Sequence, residues 1–273
     1  MLTIAQITDL HITSGKDPEN QRRNEARLRQ VLKAIHDRQP RPDAIVASGD
    51  LVDRGEPEEY AELVRILKDV EIPLYLGVGN HDRRAAFRAA FPLVPVDEHG
   101  FVQYVADIGG VRLVMVDTVD EGEDGGGFCR KRAAWLRRTL KQAPRTPTLV
   151  ALHHPPIPSG IQWMDPSPEA KWIARLAKAL KGQKQVSTVI CGHVHRAFHG
   201  VLAGQVISAS PATAPQLTLN LTPVDMRAPD GREIVLEEPA GYSLYLWDKG
   251  QFTSHVCVAG DFAPVATYDV AFL

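Results

Sequence analysis

The chain has 273 residues, 44% of them hydrophobic, and a formal net charge of −2 at pH 7. This composition is typical of one large α/β domain or of one domain with an appendage, and the balanced charge argues against a nucleic-acid or membrane-surface partner. No apolar run approaches the length of a membrane helix, and three cysteines without metal-binding spacing indicate small buried side chains in a reducing compartment.

The N-terminal segment MLTIAQITDLH predicts a strand and not a signal peptide. It has no basic start, no long apolar stretch and no small-residue cleavage site, so we expect the protein to begin at or near Met1 and to be cytoplasmic. A helix is predicted next, because four apolar residues recur at helical spacing. These residues are Leu28, Val31, Leu32 and Ile35.

Strands and helices continue to alternate. DAIVAS and PLYLGVG predict two strands, and EPEEYAELVRILKDV and RRAAFRAAF predict the helices that follow them. The longer of these two helices has one apolar face, formed by Tyr60, Leu63, Val64 and Leu67.

The rest of the chain contains more β-structure. FVQYVADIGGVRLVMVDT predicts two antiparallel strands joined at Gly109-Gly110, and TPTLVAL and STVIC predict further strands. RKRAAWLRRTLKQ predicts a basic helix, which we interpret as a solvated face, with contact to a DNA backbone as the alternative. After Ser208 the helical signals end, and EIVLEE, GYSLYLW and FTSHVCV predict strands. The chain therefore divides into a catalytic core, residues 1–208, and a β-rich extension, residues 209–273.

Polar side chains follow five of the predicted strands at the point where each strand ends. They are Asp9 and His11, Asp50, Asn80 and His81, His153 and His154, and His193 and His195. Ligand sites in α/β proteins collect at the carboxyl ends of strands, and these groups are costly to bury without a partner. In an extended segment, residues two apart point to the same side, so the sequence HVH directs two imidazoles to one place. The five strand ends predict one convergent site.

The residue types indicate two metal ions. Carboxylates and imidazoles without a thiolate suit Mn, Fe, Zn or Co, and two Asp, one Asn and four His exceed the three protein ligands of a single catalytic zinc. Two cations about 3.5–4 Å apart clamp a phosphoryl group and generate hydroxide at neutral pH. The sequence thus predicts a two-metal hydrolase, although it does not by itself pair the ligands.

Five short motifs resemble the calcineurin-like metallophosphoesterase superfamily, and they occur in the family order. They are DLH (Asp9–His11), GDLVDRG (Gly49–Gly55), GNHD (Gly79–Asp82), HHPP (His153–Pro156) and GHVH (Gly192–His195). The flanking phrases IPLYLGVGNHD and HHPPIPSG are similar to the branch of bacterial glycerophosphodiester phosphodiesterases and class III cyclic-nucleotide phosphodiesterases. The resemblance implies an α/β fold, a four-layer α/β/β/α sandwich with two mixed β-sheets and a C-terminal β extension.

The resemblance also implies how the ligands are shared. The first ion is held by Asp9, His11 and His195, and the second ion by Asn80, His153 and His193. The carboxylate of Asp50 bridges the two ions. His154 then stands behind the ligands. A metal-activated hydroxide attacks phosphorus in line, and the metals take up charge on the phosphate oxygens.

Three further residues are candidates for catalysis and substrate binding, together with the ligand Asn80. We expect His81 to donate a hydrogen bond to the phosphate or to the leaving oxygen, the alternative being a histidine that only orients its loop. Asp53 and Arg54 resemble residues of the phosphoprotein phosphatases, which implies that Asp53 orients His81 and that Arg54 contacts phosphate. A solvated pair of turn residues is the alternative for both.

The sequence predicts a binuclear-metal-dependent phosphodiesterase that acts on small diesters, either 3′,5′-cyclic nucleotides or glycerophosphodiesters, without a nucleic-acid or membrane partner. The alternatives are a DNA nuclease or a phosphomonoesterase of the same superfamily, and a metal-binding module without activity. Trp163 and Met164 are candidates to stack on a base or to shield a glycerol, with core packing as the alternative. The role of His199 is left open.

The segment 211–241 contains no ligand-type strand end. Leu217, Leu219 and Leu221 alternate with polar residues, which predicts a strand with one buried face. In related phosphodiesterases such C-terminal elements build the dimer contact. We therefore expect a homo-oligomer, most simply a two-fold dimer, with part of this segment at or near the contact. The alternative is a monomer in which the three leucines complete the edge of the second sheet.

Overall fold

The computed structural model describes residues 1–167, 169–225 and 227–268. Within them, the helices are α1 (Pro18–His36), α2 (Pro57–Leu67), α3 (Arg84–Ala90), α4 (Arg130–Gln142) and α5 (Lys171–Leu180). The strands are β1 (Leu2–Ile7), β2 (Ala44–Ala47), β3 (Leu74–Leu76), β4 (Tyr104–Ile108), β5 (Val111–Met115), β6 (Thr148–Ala151), β7 (Val186–Cys191), β8 (Phe198–Leu202), β9 (Gln205–Ala209), β10 (Gln216–Leu217), β11 (Val235–Leu236), β12 (Gly241–Asp248) and β13 (Gln251–Val258). No helix in these ranges has the length and apolar character that a bilayer span requires.

Five strands form the first sheet, in the order β13-β12-β1-β2-β3. β1, β2 and β3 are parallel, whereas β12 is antiparallel to both β1 and β13. β12 therefore lies inside this sheet, next to the strand that begins the chain. The boundary between core and extension at residue 208 stays a prediction.

Six strands form the second sheet, in the order β4-β5-β6-β7-β9-β8. The four central strands are parallel, and β4 and β8 are antiparallel to their neighbours at the two edges. β10 and β11 form a separate two-stranded ribbon. Both large sheets are mixed, as the resemblance implies.

The alternation of side chains in β5 shows how the layers pack. Leu113 and Met115 belong to a core shared with the first sheet and with α1, α2 and α3, whereas Val114 packs with α4 and α5. Because successive side chains of a strand point to opposite faces, the first sheet covers one face of the second sheet and helices cover the other. The predicted α/β/β/α sandwich is confirmed.

Two positions in the predicted helices differ in the structure. Val64, assigned to the apolar face of α2, is 41% exposed, and Ile66 is buried instead. Arg132, assigned to the solvated face of α4, is buried, because its guanidinium donates to the carbonyl of Val119 at 2.7 Å and lies 3.4 Å from the Asp117 carboxylate. Helical spacing thus predicts where a helix lies better than it predicts which boundary side chains reach the core.

The second half of the chain departs further from the sequence interpretation. α5, β8 and β9 have no counterpart among the predicted elements, and His199 lies exposed on β8. The predicted strand through the alternating leucines is wrong: Leu217 is buried, but Leu219 and Leu221 are each 62% exposed. The reason is that β10 ends at Leu217 and pairs only with the two residues of β11, so no longer strand supports the alternation.

Three parts of the interpreted segments lie outside the described residues. They are Pro168 in the loop after Trp163, Met226 in the segment 211–241, and residues 269–273 at the end of the extension.

Candidate metal centre

The seven predicted ligands come together at the carboxyl ends of strands from both sheets. β1, β2 and β3 lead to Asp9 and His11, to Asp50 and to Asn80, while β6 and β7 lead to His153 and to His193 and His195. Two sets of these side chains have ligand atoms within 4.8 Å of one another. They are Asp9, His11 and His195, and Asp9, Asp50 and His153.

The backbone at most of these ligands is left-handed and not extended. Five of the seven candidate ligands have positive φ angles, among them His193 at 72° and His195 at 52°. The prediction that HVH is an extended segment, with both imidazoles on one side, is therefore wrong. Both rings nevertheless reach the site. Left-handed turns, and not strand alternation, direct these side chains.

The hydrogen bonds of His11 and His195 leave two ring nitrogens facing each other. The Nδ1 of His195 donates to the carbonyl of Pro215 at 2.8 Å, and the Nδ1 of His11 donates to the Asp53 carboxylate at 3.2 Å. In neutral rings, each Nε2 then carries a lone pair and no proton. The two Nε2 atoms are nevertheless only 3.1 Å apart, so two acceptors face each other. A cation between the two lone pairs, either a shared proton or a metal ion, removes this conflict. The Asp50 carboxylate lies 3.9 Å from the Nε2 of His11 and the Asp9 carboxylate 3.5 Å from the Nε2 of His195, so positive charge is favoured here and the residues fit a metal ion.

His153 is held in the same way. Its Nδ1 lies 3.1 Å from the carbonyl of Ser48, which fixes the tautomer and turns Nε2 towards Asp50. The Nε2 atom is buried, lacks a well-formed hydrogen bond and lies 3.1 Å from the Asp50 carboxylate. Burial lowers the pKa of His153, but the Asp50 charge outweighs burial and raises this pKa to about 9. A positive charge is therefore favoured between the two groups, and a metal ion supplies one.

Asn80 and His193 complete the set. The Nδ1 of His193 lies 3.1 Å from the side-chain oxygen of Asn80, and the backbone N–H of His193 donates to the Asp9 carboxylate at 3.0 and 3.1 Å. Burial lowers the pKa of His193 to about 3, so its ring is neutral and can act as a ligand. The chain thus holds His and Asp groups suited to metal binding, while the division of the ligands between two ions stays a prediction.

The structure changes the predicted role of Asp53. Its carboxylate bonds His11 at 3.2 Å and is 4.0 Å from the Nδ1 of His81. His81 instead places its Nδ1 2.6 Å from the backbone carbonyl of Asp53. The predicted Asp53–His81 pairing therefore runs through the backbone, and the side chain of Asp53 orients a candidate ligand.

Arg54 does not reach the candidate ligands. Its side chain is 49% exposed, and its guanidinium lies 3.8 Å from the Asp53 carboxylate. It is absent from the described residues that line the cavity over the metal centre. The geometry therefore does not support the predicted contact between Arg54 and phosphate, because the Arg54 side chain lies outside this cavity.

The sequence interpretation missed the buried carboxylate of Asp82. It accepts hydrogen bonds from the backbone N–H groups of Leu51 at 3.2 Å and Gly79 at 2.8 Å and from the Tyr60 hydroxyl at 2.8 Å. Burial, followed by the Asp50 charge, raises the pKa of Asp82 to about 6. Asp82 ties the loops after β2 and β3 together, and its position in GNHD was the available signal.

A cavity of about 720 Å³ opens over the ligands. Five candidate ligands, together with His81 and His154, form one part of its lining. The remainder includes Asp124 and Gly126 from the Gly-rich loop and Trp163, Met164 and Trp172 from the chain before and within α5. The cavity size suits a small organic phosphate.

The sandwich and its carboxylate–imidazole centre define a metal-dependent phosphoester hydrolase. A model of the family described as calcineurin-like phosphoesterase matches residues 2–197, which is more than half of the chain. The chain belongs to the calcineurin-like phosphoesterase family.

Two relatives and one solved structure illustrate the similarity. A probable glycerophosphodiester phosphodiesterase of Arcobacter nitrofigilis is 29% identical over 264 residues, covering 96% of this chain and 94% of its own. A 3′,5′-cyclic adenosine monophosphate phosphodiesterase of Pseudomonas aeruginosa is 28% identical over 250 residues, covering 89% and 85%. A purple acid phosphatase from yellow lupin seeds has a similar fold, with a TM-score of 0.62 and 13% identity over 97% of this chain and 57% of that one. These matches confirm the predicted superfamily and its phosphodiesterase branch. They also confirm the prediction that the protein is a metal-dependent phosphodiester hydrolase.

Proposed function

We propose that this protein is a two-metal phosphodiesterase that hydrolyses a small diester, either a 3′,5′-cyclic nucleotide or a glycerophosphodiester. The observation that carries the proposal is the facing pair of Nε2 atoms of His11 and His195, 3.1 Å apart, beside the Asp9 and Asp50 carboxylates. The activities for which the two relatives are named support a diester substrate of one of these two types. The cavity lining, which contains no Lys or Arg among the described residues, argues against a nuclease.

The proposed ligand sets are those implied by the family resemblance, with Asp50 between the two ions. When bound, the ions supply a hydroxide nucleophile at neutral pH and neutralise charge on the phosphate oxygens. The chain's own residues fix the imidazoles: carbonyl and carboxylate acceptors hold each Nδ1 proton, so each ring of His11, His153 and His195 presents Nε2. Asp50 also accepts the backbone N–H of His81 at 2.9 Å, which ties the candidate substrate-binding loop to the metal centre.

His81 is proposed to bind the phosphate or the leaving oxygen. Its Nδ1 proton is committed to the carbonyl of Asp53, which leaves Nε2 as the atom available to substrate in the cavity. Nε2 carries a proton only in the imidazolium form, so His81 acts as a donor in that form. Asn80, its neighbour, is proposed to contact both a metal ion and the substrate.

The ions are proposed to be Mn, Fe, Zn or Co, because the ligands are carboxylate, imidazole and amide groups without a thiolate. Elemental analysis of protein purified without added metal identifies them, and hydrolysis of bis(p-nitrophenyl) phosphate with and without Mn(II) tests activity. A rate panel of cyclic AMP, cyclic GMP, glycerophosphoethanolamine and glycerophosphocholine identifies the substrate type. Absence of hydrolysis of every diester by fully metal-loaded protein refutes the proposed function.

We also propose a cytoplasmic homo-oligomer, most simply a dimer, with part of 211–241 at the contact. Leu219 and Leu221 support this, because each is 62% exposed, and Val235 of β11 is half-exposed as well. A solution mass near 30.0 kDa over a broad concentration range excludes the oligomer.

A further inference from the structure

One part of the cavity lining combines aromatic surface with negative charge. We call this part, formed by Asp124, Trp163, Met164 and Trp172, the outer wall. No Lys or Arg of the described chain lines the cavity. The outer wall therefore has no cation for an anionic group of the substrate that extends beyond the metal centre.

The loop that carries Asp124 is seated directly on the site. A Cβ at Gly126 would lie 2.8 Å from a ring carbon of Trp172 and 2.9 Å from the Cβ of His154. The next residue, Gly127, donates its N–H to the carbonyl of Thr118 at 2.8 Å. Glycine is thus required for this close approach, which keeps the neighbouring Asp124 at the cavity.

Two carboxylates line this region, and only one of them is free. Asp165 accepts hydrogen bonds from the N–H and hydroxyl of Ser159 at 2.5 and 2.6 Å and from the N–H of Gly160 at 3.0 Å. These contacts close the turn that carries Trp163 and Met164. The Asp124 side chain is exposed and has no hydrogen bond or ion pair to any described residue. Asp165 therefore shapes the outer wall, while Asp124 is available to a ligand.

An unpaired carboxylate and an indole in one cavity are the groups that bind alkylammonium ions, through charge attraction and cation–π contact. Building on the proposed phosphodiesterase function, we propose that Asp124 and Trp163 select diesters whose outer alcohol arm carries a positive charge. A neutral arm of the same shape retains only the apolar contact with the indole. An arm with a second negative charge is repelled by Asp124 and meets no basic residue.

The test uses two chromogenic diesters of the same shape that differ at a single atom, which is a positively charged nitrogen in one and a neutral carbon in the other. p-Nitrophenyl phosphocholine has a trimethylammonium group, and p-nitrophenyl 3,3-dimethylbutyl phosphate has the neutral carbon isostere. We expect the wild-type kcat/KM to favour the cationic diester about tenfold, from one exposed ion pair and one cation–π contact. Asp124→Asn should reduce this preference to about threefold, because the indole remains, and Trp163→Leu should also reduce it. Added NaCl should reduce the wild-type preference, since it screens the exposed carboxylate.

Glu123→Gln is the matched control, because Glu123 carries the same charge in the same loop but does not line the cavity. It should keep the wild-type preference. A wild-type preference near one, or equal preferences in Asp124→Asn and Glu123→Gln, overturns the charge selection while both diesters are still hydrolysed. If metal-loaded wild-type protein hydrolyses neither these diesters nor bis(p-nitrophenyl) phosphate, the proposed function itself fails.

Discussion

Replacing Asp53 should weaken metal binding at the site to which His11 contributes. The Asp53 carboxylate accepts the Nδ1 proton of His11 at 3.2 Å, which leaves Nε2 as the ligand atom. This hydrogen bond lowers the pKa of Asp53 although partial burial opposes the shift, so the group is ionised at neutral pH. A carboxylate behind a metal-binding imidazole fixes its orientation and increases its basicity.

Loss of such a partner typically costs about 10- to 100-fold in metal affinity. At about 1.4 kcal/mol for each factor of ten, this is about 1.4–2.8 kcal/mol of binding free energy. Asp53→Asn keeps an acceptor oxygen and loses the charge, so its effect should lie near the lower value, while Asp53→Ala should lie near the upper. The Asp53 side chain is 33% exposed, and solvent screening therefore limits the share of the effect that comes from charge.

Isothermal titration of metal-free protein with Mn(II) measures this effect without relying on turnover. Glu58→Ala is the control, because Glu58 is exposed on α2 and lies outside the described cavity lining. It should bind metal as the wild type does. Wild-type metal affinity in both Asp53 variants, together with reduced turnover, would refute the reasoning and return Asp53 to the role of orienting His81.

Asp50→Ala should lower activity more than loss of any terminal ligand and reduce the metal content below two ions per chain, whereas two tightly held ions in elemental analysis would exclude the bridging role. His81→Ala should reduce turnover by about 100- to 10,000-fold with both ions retained, and a smaller loss for good leaving groups would identify protonation of the leaving oxygen. An equal loss for good and poor leaving groups would make His81 a phosphate clamp. Arg132→Ala should destabilise the fold by about 3 kcal/mol in urea unfolding, because it removes a buried partner of the Asp117 carboxylate, and an unchanged midpoint would contradict this. Leu219→Asp should dissociate the proposed dimer with the metal centre still loaded, and light scattering that shows an intact dimer would exclude Leu219 from the contact.

The positions of the site residues were predictable because Asp, Asn and His at strand ends are visible in the sequence. The contacts that fix the imidazoles were not. The Nδ1 of His153 bonds the carbonyl of Ser48, 105 residues earlier, and the Nδ1 of His195 bonds the carbonyl of Pro215. Every residue has a backbone carbonyl, so no side-chain pattern marks the one that the fold will bring to a ring.

Asp53 shows a related difficulty. Two histidines, His11 and His81, lie close to it in the folded protein, with ring centres 4.5 Å apart. The sequence motif identifies Asp53 as a partner for a histidine, but the choice between two neighbouring rings depends on how the strand ends turn. The structure places the carboxylate on His11 and the carbonyl on His81.

The fold was more predictable in the first half of the chain than in the second. Helix α5 had a readable signal, since Trp172, Leu176 and Leu180 are buried at a spacing of four residues. For Leu219 and Leu221, the alternation of apolar and polar residues wrongly predicted buried side chains, and both are exposed. Such alternation predicts a buried strand face only where a neighbouring strand pairs with the segment. Whether such a neighbour exists is decided by distant parts of the chain.

The left-handed backbone at the strand ends connects the chemistry of the ligands with their geometry. Asp9, His11 and Asp50 have φ angles of 52°, 44° and 48°, a conformation that costs about 1–3 kcal/mol for a residue with a side chain. The N–H groups of Asp9 and His11 hold it by donating to the carbonyls of Gly49 at 3.0 Å and Asp50 at 3.1 Å. Asp, Asn and His are the residues other than Gly that adopt this backbone most readily, and they are also the metal-binding types required here. Glycine would relieve the strain but remove the ligand. The same residue types therefore serve both needs, which is why a sequence pattern alone located the site while its backbone geometry had to come from the structure.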